Sequence, residues 1–110
     1  MNTAAAKPIV MLTTNTAQDM AMELTLAFGR APDTMGDSEE WGSFFAFELG
    51  IPYLNAGVQV EDAFRDGRWA IKISVEECSR KVRVSKGASI EQIAMAAKRA
   101  ADKFVASRAK

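Results

Sequence analysis

Between Leu54 and Val84 apolar and polar side chains largely alternate one by one, whereas before Leu54 they recur at three- and four-residue intervals. That change of period predicts helices in the first half of the chain and strands in the second. The short apolar run Ile9–Thr13 reads as a buried strand, and residues 1–7 as a loose end. In "NTAQDMAMELTLAFG", Asn15 or Thr16 serves as a cap, and Ala17, Met20, Ala21, Leu24 and Phe28 form a helical stripe. Gly29 and Pro32 end that helix. A second helix is expected over 37–49, with Asp37 and Glu40 spaced as a capping box and Trp41, Phe44, Phe45 and Leu49 as its apolar face.

Leu54, Ala56, Val58 and Val60 then mark one face of a strand. Asp62 falls on the apolar phase, which predicts a bulge there. Asp66–Gly67 is a two-residue hairpin turn, since both residue types tolerate positive φ. The next strand, Arg68–Val75, turns Trp69, Ile71, Ile73 and Val75 to one side. "EECS" makes a turn, and Arg80–Ser85 is a third strand with Val82 and Val84 inward. A last helix runs from Ser89 to about Ser107. Ser89 and Gln92 form its capping box, and Ile90, Ile93, Ala94, Ala97, Ala101, Phe104 and Val105 its core stripe. The expected architecture is one α+β domain in the order β-α-α-β-β-β-α, an antiparallel sheet with helices on one face.

Charge changes this picture more than composition does. The 110 residues carry no net charge, but the balance is uneven. Residues 1–64 hold two cations and nine acids, a net −7, and residues 65–110 hold twelve cations and five acids, a net +7. Such asymmetry marks chains that meet a charged partner, unless the two halves interleave in space. With Trp69, Ile71, Ile73, Val82 and Val84 inward, Arg65, Arg68, Lys72, Lys81, Arg83 and Lys86 are expected to share a basic outer face. Asp33, Asp37, Glu39 and Glu40 form an acidic patch.

Candidate chemistry is thin. There is no histidine, so histidine-based acid–base catalysis, triads and metal sites are absent. Cys78, the only cysteine, follows Glu76 and Glu77, whose charge opposes a thiolate. The acids of "PDTMGDSEE" lack the spacing of a calcium loop, and no glycine pattern matches a P-loop or dinucleotide fingerprint. No enzyme, cofactor or metal is therefore expected. The apolar run Ile9–Leu12 is too short for a secretory signal or a membrane span, which makes the cytoplasm the expected location.

In order, helix–three strands–helix resembles the double-stranded RNA-binding domain, and "KGASIEQIAMAAKRAADKF" places Gly87, Ser89 and an alanine-rich helix comparably. The resemblance is one of topology alone. Where that family grips phosphates with lysines, this chain has Ile90, Glu91, Ile93 and Ala94. The expected function is a small non-enzymatic interaction protein, an adaptor or inhibitor of a larger complex of the kind mobile elements carry. Its partner is a protein of complementary charge, with self-association a further route. The alternative is nucleic-acid binding by the basic face.

Overall fold

The computed structural model describes residues 8–38, 42–62 and 68–108. A helix α1 (Pro8–Phe28) leads into strands β1 (Thr34–Ser38), β2 (Gly42–Leu49), β3 (Ala56–Asp62), β4 (Ala70–Val75) and β5 (Cys78–Val82). Helix α2 (Ile90–Arg108) closes the chain. All five strands pair antiparallel in chain order, β1-β2-β3-β4-β5. The class is α+β as expected, but the order is α-β-β-β-β-β-α.

Two of the expected elements take a different form. Ile9–Thr13 is helix rather than strand. No glycine or proline occurs between Ile9 and Phe28, so a helix once begun has nothing to stop it before Gly29. Gly29 then takes φ +73° and donates its N–H to the Thr25 carbonyl at 2.9 Å. The expected second helix is instead β1 and β2. In "GSFFAFEL" the buried side chains Phe45, Phe47 and Leu49 follow a period of two that an aromatic-rich segment suits. Asp37 lies in β1 opposite Ser43 and caps no helix. The topology that resembled an RNA-binding domain loses its first helix with this change.

The later strands follow the alternation closely. In β3, Ala56, Val58, Val60 and Asp62 all face inward. Asp62 stays in register opposite Ser43 rather than bulging, and among the described residues it is the one buried charged side chain. The β4–β5 turn is tighter than expected, with only Glu76 and Glu77 between the strands. Cys78 therefore belongs to β5, opposite Val75. The strand ends at Val82, short of Ser85. The 66–67 hairpin, Arg65, Glu39, Glu40, Trp41 and the 1–7 end lie outside the described residues.

Both helices cover one face of the sheet. Met20 and Leu24 of α1 and Phe45, Phe47, Val58, Val60 and Ile71 of the strands are almost fully buried. Phe28 of α1 stacks on Phe47 of β2, with centroids 3.9 Å apart. From α2, Ile93, Ala94, Ala97 and Ala101 are buried, and small side chains there let the helix lie close over β3 and β4. The Ser89–Gln92 capping box forms as read. Ser89 N–H donates to Gln92 Oε1 at 2.8 Å, and Gln92 N–H donates to Ser89 Oγ at 3.1 Å. No described helix is long and apolar enough to cross a membrane.

Candidate functional site

Sheet order equals chain order, so β1 and β5 form opposite sides of the sheet, while α1 packs against α2 and α2 lies over β3 and β4. β1 and β2 lie at one side, where Met35 and Phe45 border a hollow with Ala17 and Ala21 of α1. β5 lies at the other side. From Cys78 to Arg108 the chain holds eight cations and two acids, and Asp102 is already paired with Lys98 at 3.0 Å.

Of the cations proposed from sequence, the strand register places Lys72 and Lys81. Lys72 and Lys81 do stand opposite each other on the uncovered face. Lys72, however, is tied to Glu61 at 3.2 Å, and Glu61 also accepts a hydrogen bond from Gln59 at 2.7 Å. Arg68 is exposed and already has an interaction partner. Arg83 lies past the end of β5, so the strand alternation no longer directs it. It borders a hollow with Met95, Ala96 and Arg99 of α2. Lys86 is exposed in the turn before α2.

Of the acidic patch, Asp33 has a structural task. Its Oδ2 accepts from Arg30 at 2.8 Å and from the Glu48 backbone N–H at 2.7 Å, and Arg30 also donates to the Glu48 carbonyl. These bonds tie the end of α1 to the end of β2. The Arg30 hydrogen bond, then the Glu48 N–H, hold the Asp33 carboxyl below the ordinary aspartate range. A lowered folded pKa gives stability that is present above the unfolded value, about 3.9, and is lost as pH falls through the folded one. Asp33→Asn should therefore lower the melting temperature at pH 7. The gap to the parent protein should close as melts are repeated from pH 5 down to pH 2. A gap that stays constant with pH would show that the carboxylate charge is irrelevant.

The residues that sequence reasoning missed lie between β5 and α2. Arg80 sits opposite Ile73, on the helix-covered side of the sheet, yet it is exposed because α2 reaches only as far as β3 and β4. Arg80 and Arg108 border a hollow of about 200 Å³ with Ile73, Val75, Cys78 and Phe104. The Arg108 guanidinium lies 5.1 Å from the Phe104 ring centroid. Further along, Arg83 and Arg99 border a second hollow of about 400 Å³, floored by Val84, Ala88, Met95 and Ala96. The signal was present but split: Arg99 and Arg108 are nine residues apart, about two and a half turns along α2. Neither residue shares a period with β5.

No protein family, curated protein or solved structure matches this chain. The reading therefore rests on the site itself. No group of three metal-ligating side chains is found among the described residues. A different kind of feature stands at the β2–β3 loop. Tyr53 is fully exposed at φ +62°, after Pro52, with Leu54 N–H donating to the Ile51 carbonyl at 3.2 Å. A left-handed tyrosine costs on the order of 1 kcal/mol relative to glycine, and its ring is offered to solvent.

Proposed function

We propose that this chain is a small non-enzymatic interaction protein, an adaptor or inhibitor of a larger complex, that engages a partner protein of complementary charge. One observation carries the reading: from Cys78 to Arg108 the chain holds eight cations against two acids, which concentrates positive charge at the β5 side of the sheet and along α2. Such fields steer association and select partners more than they add affinity. Among the described residues Arg80, Lys81, Arg83, Lys86, Arg99 and Lys103 form no ion pair, leaving their charge available to a partner. A cytoplasmic location belongs to the same proposal.

The test compares the parent protein with Lys81→Glu/Arg83→Glu in quantitative affinity capture from lysate, at two salt concentrations. Partners specific to the parent, lost both on charge reversal and at higher salt, support the reading. If the two proteins capture the same set, it fails. Titration with duplex DNA and RNA separates the alternative. Binding whose log–log salt slope approaches about −4 would indicate phosphate neutralisation instead.

A further inference from the structure

Among the described residues β5 is one of the two edge strands of the sheet, β1 being the other, and four of its five residues are exposed. An edge strand offers a row of backbone N–H and C=O groups with no strand to pair with, which is the template for adding another chain. Beside it runs the flank of α2: one hollow lies between β5 and the end of α2, and the other between α2 and the segment 83–88 that continues from β5. Each hollow has an apolar floor and two arginines, Arg80 with Arg108 at one end and Arg83 with Arg99 at the other. Among the described residues no carboxylate borders either hollow.

We propose that the groove between β5 and α2 binds an extended acidic segment of a partner protein, added to β5 as a sixth strand. This rests on the interaction reading above and names the partner's chemistry. The backbone of the segment pairs with the β5 edge, and its alternate side chains point into the groove. Carboxylates there meet Arg80, Arg83, Arg99 and Arg108, while apolar side chains cover Met95, Val84 and Phe104. Arginine suits this task, since its planar fork takes a carboxylate through two hydrogen bonds.

The same charges exclude other occupants. A second copy docking β5 against β5 would set Arg80 and Lys81 against like charges, which is destabilising for directly opposed cross-strand residues. A nucleic acid would have no use for a strand edge, and no described aromatic ring stands on the β5 edge to stack a base.

The test uses the full chain labelled with ¹⁵N and a blocked eight-residue peptide, Glu-Thr-Val-Thr-Glu-Thr-Val-Thr, in which Glu and Val share one face. The peptide should shift and protect from exchange the amides of Cys78–Val82, and shift those of α2 around Met95 and Phe104. A peptide with Lys for Glu should not bind. N-methylation of alternate peptide amides, on the edge-facing side, should abolish binding, which contact by charge alone would survive. Arg83→Glu/Arg99→Glu and Arg80→Glu/Arg108→Glu should each weaken affinity about tenfold or more. All four arginines are exposed, and unchanged circular dichroism would confirm that the fold is kept.

Failure to bind at millimolar peptide, shifts confined to another surface, or equal binding of the Lys peptide would overturn the proposal. So would concentration-dependent protection of β5 in the protein alone, which indicates a second copy in the groove. Displacement of the peptide by duplex at equal charge concentration would equally overturn it. The two readings fail separately. Lysate partners that persist in both arginine double variants leave the protein an interaction module with its site elsewhere. Peptide binding in the absence of any charge-dependent lysate partner retains the groove and removes the broader reading.

Discussion

Phe47→Ala will cost about 3–5 kcal/mol of folding free energy, a large share of the roughly 5–15 kcal/mol that holds a domain folded. Phe47 is 1% exposed, stacks on Phe28 at an interplanar angle of 8°, and carries the Arg30 guanidinium 5.3 Å from its ring centroid. It therefore joins three parts of the molecule: the last turn of α1, the middle of the sheet, and the Arg30–Asp33 clamp. Truncation removes buried apolar area and leaves a cavity that the flat sheet cannot close, because the backbone of β2 is fixed by pairing on both sides. Urea unfolding should show a lower midpoint with the slope unchanged. Phe47→Leu, which refills part of the volume, should recover more than half of the loss. A cost below about 1 kcal/mol would mean that the ring is not packed as described.

Ala97→Leu should destabilise the protein by about 1–3 kcal/mol, although leucine is nearly as good a helix former as alanine. Ala97 is fully buried beneath α2, in line with Ala94 and Ala101. The added carbons have no space, so α2 must rise from the sheet or twist its neighbours off their rotamers. Met95 on the same helix is about half exposed, and Met95→Leu should change stability by less than about 0.5 kcal/mol. Thermal melts of the two variants measure the contrast. Equal effects would show that α2 does not seat closely on β3 and β4.

The two predictions differ in what made them visible. The alanine stripe could be read from the sequence, because helical spacing and small size together imply a close approach. Phe47 could not. Trp41, Phe44, Phe45 and Leu49 satisfy a helical period as well as Phe45, Phe47 and Leu49 satisfy a strand, and one segment of aromatic residues supports both. What decides between them is partnership. β2 is paired on one side by β1 and on the other by β3, so its backbone groups are satisfied as strand and its alternate phenylalanines fill the space under α1. No local propensity contains that information.

The candidate site divides the same way. Alternation correctly placed Lys72 and Lys81 together on the uncovered face, since a strand's side chains have no freedom to choose sides. It did not foresee that Glu61, two strands' width from Lys81, would neutralise Lys72. Nor did it foresee that Arg80, on the phase that should be buried, would remain in the open.

By itself the sequence determined the α+β class, the alternating faces of β3 and β4, the capped and alanine-seamed helix α2, and a charge split of −7 against +7. These follow from residue period, cap chemistry and simple counting, all of which act over a few neighbours or need no geometry. Only the tertiary structure decided that β1 and β2 replace the expected second helix and that the five strands pair in chain order. It alone set Arg80 beside Arg108 at one hollow and Arg83 beside Arg99 at another. Each of these depends on which strand lies next to which. That is settled by pairing backbones and burying faces across the whole chain, not by any one stretch of it.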